Sequence, residues 1–151
     1  MHLFTGAMSS NQGNRFARLT STIEDFRDRP FLLGTSDCAI FAGAVVLALT
    51  EIDLYKKYSG LYDNEFSLLR LLKKNGCNDV VELCAREFAK VGIKEVHIHY
   101  ANRGDIVSFL DTQDVACLGV CVGSQCLFHA ERGLAAIDRS KCTRAWALTD
   151  G

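Results

Sequence analysis

Proline occurs once in the 151 residues, and neither sign of charge prevails: seventeen Lys and Arg stand against eighteen Asp and Glu, for a net charge of −1. A single proline excludes a proline-rich linker. The balanced charge excludes the long-range pull on phosphate backbones and anionic lipid surfaces that a basic protein exerts. Neither nucleic acid nor a membrane is therefore expected as a partner. Long apolar runs are missing too. The stretch 39–49 holds eleven residues, well short of the ~18–20 that a membrane-spanning helix needs. Met1 to Met8 carry no basic cluster and too short an apolar core for a secretory signal, so none is expected. There is no internal repeat, low-complexity tract or glycine-rich phosphate loop. Gly119 and Gly123 flank Val120-Cys121-Val122 with no helix to follow, which disfavours a nucleotide site.

Cysteine is abundant by contrast. The chain has seven (Cys38, Cys77, Cys84, Cys117, Cys121, Cys126 and Cys142), an odd number that forbids complete internal pairing and suits folding in a reducing cytoplasm. Cys84, Cys121, Cys126 and Cys142 read as buried apolar residues. Cys117, Cys121 and Cys126 can be drawn with His129 around zinc, but spacings of four, five and three lack the close paired loops of structural zinc sites. No metal and no cofactor is expected. Hydrophobic residues at 48% and charged residues at 23% are ordinary for a globular protein. The expected organisation is one domain over 14–151, with a flexible leading segment over 1–13.

Apolar residues at Phe16, Leu19, Ile23 and Phe26 recur at three, four and three, which predicts a helix over 14–28 that Pro30 ends. Residues 38–50 are apolar nearly all round, as in a helix buried on several sides. Asn64 opens a third helix through Leu72, with Lys73, Lys74 and Gly76 at its end, and Asn78 or Asp79 caps a fourth through Val91. From Ile93 the period falls to two, predicting a strand on which His97 and His99 share a solvated face. Strands over 106–110, 116–122, 126–130, 134–137 and 144–148 are expected to follow, joined by glycine-bearing turns. Helices followed by antiparallel strands make an α+β fold.

Cys38 lies where the turn Gly34-Thr35-Ser36-Asp37 becomes the apolar helix. Unpaired backbone N–H groups and the macrodipole at a helix start favour an anion, so this thiol is expected to ionise below its free pKa of ~8.5 and to serve as a nucleophile. The alternative is a small buried apolar residue behind an Asp37 N-cap.

Three stretches bear on that choice: Arg29-Pro30-Phe31 through Gly34, Asp37, Cys38 and Phe41; then Arg103-Gly104-Asp105-Ile106-Val107; then Cys117-Leu118-Gly119-Val120-Cys121 with Phe128-His129-Ala130. In this order they resemble the NlpC-type cysteine peptidases, the bacterial branch of the papain-like fold that cleaves peptidoglycan stem peptides. The Arg-Pro-Phe start, the Leu-Arg-Leu-Leu helix after a Gly-x-Tyr turn, the Leu-Gly-Val-Cys strand and the terminal Ala-Trp are most similar to a branch encoded among phage and prophage tail genes. The resemblance implies a papain-like α+β fold, with N-terminal helices whose nucleophile helix packs on a C-terminal antiparallel sheet or half-barrel. It implies Cys38 as nucleophile and His129 in the third, orienting position, while Cys117 stands where the family has its base histidine. A thiol is a poor base, and loss of a positioned base typically costs ~10²–10⁴ in rate; direct approach of His129 to Cys38 is one way round it.

The function so implied is a hub-associated component of the phage tail tip, made in the host cytoplasm and carried in the virion. It would aid cell-wall penetration during genome delivery, with peptidoglycan as substrate, tail hub proteins as partners, and hydrolysis weakened by Cys117. The alternative is a catalytically inactive structural or binding module of the tail tip. A weaker third reading pairs Cys38 and Cys117 as redox partners, provided their sulfurs come together.

Overall fold

The computed structural model describes residues 2–148, with side chains from 13 to 148. Among the described residues, four helices precede a six-stranded antiparallel sheet, an α+β arrangement. Helix α1 runs His2–Phe26, beginning ahead of the expected 14–28. The side chains of residues 2–12, where a flexible segment is expected, lie outside the described residues. Helix α2 spans Cys38–Thr50, α3 Glu65–Lys74 and α4 Val80–Lys90. Each of the last three starts at a side chain that accepts a backbone N–H of the first turn: Asp37 from Ile40, Asn64 from Ser67 and Asp79 from Glu82. Among the described residues, no helix is long and apolar enough to cross a membrane.

The two long helices are tied end to side. Arg15 of α1 donates to Leu148 O at 2.7 Å and to Leu49 O at 3.4 Å, and Arg18 donates to Ala48 O at 2.7 Å. Two guanidinium groups thus meet carbonyls that α2 leaves unpaired at its negative end. Leu19, Ile23 and Phe26 face Phe41, Ala42, Val45, Val46 and Leu49 of α2 in the main core.

The strands are β1 Glu95–Val96, β2 Ile106–Leu110, β3 Ala116–Cys121, β4 Gln125–Ala130, β5 Gly133–Asp138 and β6 Arg144–Trp146, in the sheet order β1-β6-β2-β3-β4-β5. Alternation sorts their side chains. Ile106, Leu118, Val120, Leu127, Leu134 and Trp146 pack toward α2, while Val107, Cys121, Cys126, Phe128 and Ala145 form a second cluster on the far face. Gly119 is required where β3 passes β4: a Cβ there would meet Leu127 O at 2.4 Å and the Phe128 ring at 2.5 Å.

The strand expected from Ile93 to Tyr100 shrinks to the two residues of β1, followed by a 3-10 turn over Ile98–Tyr100. His97 Nδ1 accepts from His99 N at 3.2 Å and Tyr100 N donates to His97 O at 2.8 Å, so the backbone curls instead of extending. The two imidazoles stack with centroids 4.8 Å apart. Periodicity of two could not register this local competition for the backbone.

Candidate functional site

The turn before Cys38 is held from three sides. Phe31 N donates to Glu131 O at 2.8 Å, fastening the turn to the β4–β5 corner, and Leu32 bridges Ser36. Gly34 sits at φ +84° with its α-carbon pressed on the next loop, so that a Cβ would lie 2.2 Å from Tyr62 O. Asp37, only 2% exposed, accepts Gly34 N at 3.0 Å, Ile40 N at 2.9 Å and the Tyr62 hydroxyl at 2.6 Å. Its role exceeds that of an N-cap, because one carboxylate fixes the turn, the helix start and the 55–62 connection together. Burial, then the Asp37 charge, push the Tyr62 phenol well above its ordinary range, so it remains the donor.

Cys38 begins α2 half-buried. Its thiol departs from the expected low pKa and is pushed up to about 12. Burial is the largest cause; backbone N–H groups of Leu118 and Ala39 favour the thiolate, while Asp37 and Cys117 oppose it. Helix-end stabilisation is present in kind, but desolvation beside a carboxylate outweighs it. Cys84 of α4 is within electrostatic reach of Cys38 and is likewise raised, chiefly by burial.

Helix α2 packs on β3, and Cys38 lies against the main core that holds Leu118. The Cys117 side chain nevertheless packs with the far-face cluster, and its thiol donates to Val115 O at 3.6 Å. Leu118, not Cys117, projects toward α2. The same alternation separates Cys117, Cys121 and Cys126 on one face from His129 on the other, which dismantles the zinc set drawn from the sequence. Among the described residues no group of three or more His, Cys, Asp or Glu is placed to hold a metal ion.

His129, on β4, is 7% exposed and lies edge-on to the rings of Phe26 and Phe31. Its Nε2 is 2.7 Å from Ser36 Oγ and its Nδ1 3.0 Å from Ala130 O. Sequence reasoning missed Ser36 as its partner and Tyr62 as a ligand of Asp37. The one signal was the position of Ser36 in the turn two residues before Cys38.

Beside α2, a narrow, largely apolar crevice is bounded by Ala42, Gly43, Tyr55, Tyr62, Cys84 and Glu87. Glu87 is a structural anchor there: it accepts from the Tyr58 hydroxyl and from Lys57 at 2.6 Å, and pairs with Lys90 at 3.4 Å. Burial pushes its carboxyl up, but the bonds from Lys57 and Tyr58 prevail and hold it below the usual range.

Residues 14–148 match the model of DUF6950, a domain of unknown function, and the chain belongs to that family. No curated protein matches it.

Proposed function

We propose that this DUF6950 chain is a component of the phage tail tip, built on the papain-like cysteine-peptidase plan and offering the Cys38 turn to peptidoglycan stem peptides during genome delivery. The observation that carries the reading is the meeting of three stretches distant in sequence. Cys38 opens a helix packed on an antiparallel sheet, it lies against the core that holds Leu118 of β3, and His129 of β4 joins the same turn through Ser36. In such a site Cys38 would add to a peptide carbonyl, with helix-start N–H groups facing the oxyanion. Hydrolysis would be slow at neutral pH, because the thiol stays protonated and no imidazole stands at Cys117.

The test is incubation of the pure protein with purified sacculi at neutral and alkaline pH, reading released fragments by mass spectrometry. Slow release of stem-peptide fragments, faster at alkaline pH and lost in Cys38→Ala, is expected. Release equal in wild type and Cys38→Ala would remove Cys38 from any hydrolysis.

A second reading, an inactive binding module of the tail tip, is favoured by the Ser36–His129 bond, which occupies the nitrogen a base would use. It expects both proteins to sediment equally with sacculi and neither to release fragments.

A further inference from the structure

Three thiols outside the Cys38 site meet on the far face of the sheet. Cys121 ends β3, Cys126 lies on β4, and Cys142 follows the 3-10 turn Arg139–Lys141; all three are free and buried. Cys121 and Cys126 are direct cross-strand partners. The neighbouring hydrogen bonds give the type of pair. Val122 N donates to Gln125 O at 2.9 Å, closing the hairpin, whereas Cys121 N turns to the other side and donates to Asp105 O at 2.9 Å. Cys121 and Cys126 therefore form a non-hydrogen-bonded antiparallel pair, whose α-carbons stand about 4.5 Å apart with side chains at their closest. A disulfide accepts separations of about 4.4–6.8 Å.

The protons are arranged to match. Cys121 donates its S–H to Gly123 O at 3.4 Å, which leaves its sulfur lone pairs free for Cys126. Cys126 shares one buried cluster with Cys121 and Cys142 and has one proton to give. Its contacts lower the Cys121 and Cys142 thiols and raise its own. Cys142 is also a wall of a surface cleft of mixed lining, together with Ile98, His99, Ser124, Asp138, Arg139 and Ser140. Among the three, it is the one that borders this opening.

We infer that Cys142, Cys126 and Cys121 are a disulfide-relay site, in which a small carboxylate-bearing disulfide of the glutathione class enters the Arg139 cleft and oxidises the cross-strand pair. The Cys142 thiolate attacks one sulfur of that disulfide, forming a mixed disulfide and expelling one small thiolate. Cys126 then attacks the Cys142 sulfur and expels the second. Cys121 attacks Cys126, forms the Cys121–Cys126 bond and returns Cys142 as a thiol. The pair loses two electrons and two protons, and the entering disulfide gains both as two small thiols. The product pins the end of the β3–β4 hairpin when the protein meets an oxidising environment.

The experiment treats the folded chain with oxidised glutathione at about pH 8, where exchange is brisk, quenches with alkylating agent at intervals, and maps tryptic peptides. Cys117, Cys121 and Cys126 fall in the stretch 104–132, while Cys142 falls in Cys142-Thr143-Arg144, so the products separate cleanly. Expected are an early mixed disulfide on Cys142 and a final 104–132 peptide lighter by two hydrogens, alkylated once, at Cys117. Cys142→Ala should reach the same product about tenfold more slowly. A final Cys126–Cys142 cross-link, thiols that stay reduced, or Cys142→Ala oxidising at the wild-type rate would each overturn the relay. The wild-type time course decides even if the variant fails to fold.

Discussion

The hydroxyl of Ser36 lies 2.7 Å from Nε2 of His129, joining the turn that carries Cys38 to strand β4. On the other side of the ring, Nδ1 faces the carbonyl of Ala130 at 3.0 Å. A carbonyl only accepts, so Nδ1 carries the proton, and in the uncharged ring Nε2 accepts from Ser36. The imidazole thus positions the turn, with both nitrogens engaged and Phe26 and Phe31 closing its edges.

Ser36→Ala should leave a buried imidazole nitrogen without its donor, at a cost of about 1–3 kcal/mol in unfolding free energy. In a His129→Ala background the same change should cost under about 0.5 kcal/mol, because its partner has already gone. Urea denaturation of the four proteins measures this. Additive losses would mean that the two side chains act independently.

The Cys38 thiol, raised to about 12 chiefly by burial, makes an alkaline prediction. Iodoacetamide should label it at neutral pH at least ~10²-fold more slowly than a free thiol, with the rate climbing about tenfold per pH unit above neutrality. A plateau below pH ~9 would mean a stabilised thiolate. The sign for stability follows from linkage. The folded state holds this proton more tightly than the unfolded chain, so the contribution is full below the free-thiol value of ~8.5 and is lost as pH rises toward about 12. Cys117, raised by burial and then Asp111 to about 11, acts in the same direction.

Gly34→Ala combines two faults. The residue sits at φ +84°, and its new methyl would press on Tyr62 O at 2.2 Å. Relief requires the turn to withdraw from the 55–62 connection, which loosens the bonds of Gly34 and Tyr62 to Asp37. A loss of at least ~2 kcal/mol is expected in denaturation, whereas Gly60→Ala, also at positive φ but with open space around it, should cost less.

Elements whose signals are local were readable from the residues. Asp37, Asn64 and Asp79 mark three helix starts, and β2 occupies the expected 106–110 because apolar alternation and its flanking turns agree. What escaped is set by packing. Ser36 and His129 are 93 residues apart, and their pairing depends on how the turn meets β4. Thiol ionisation at Cys38 is decided by what buries it, which a helix-start motif does not reveal. The face chosen by Cys117 depends on the β3 register, set by its pairing with Phe109.

His129→Ala separates a positioning role from a catalytic one. A histidine acting directly on Cys38 would favour its thiolate, so removing it would slow alkylation near neutral pH and flatten any inflection in that range. The geometry points the other way: Nε2 is engaged by Ser36, and the influences on the Cys38 thiol are burial, two backbone N–H groups, Asp37 and Cys117. Alkylation rates of Cys38, measured from neutral to alkaline pH under conditions where both proteins remain folded, should therefore superimpose for wild type and His129→Ala. Stability should drop, since the variant forfeits the Ser36 bond and leaves a void between Phe26 and Phe31. A profile displaced to higher pH in the variant would instead make His129 the partner of the Cys38 thiolate and require the imidazole to leave Ser36 when the site is at work.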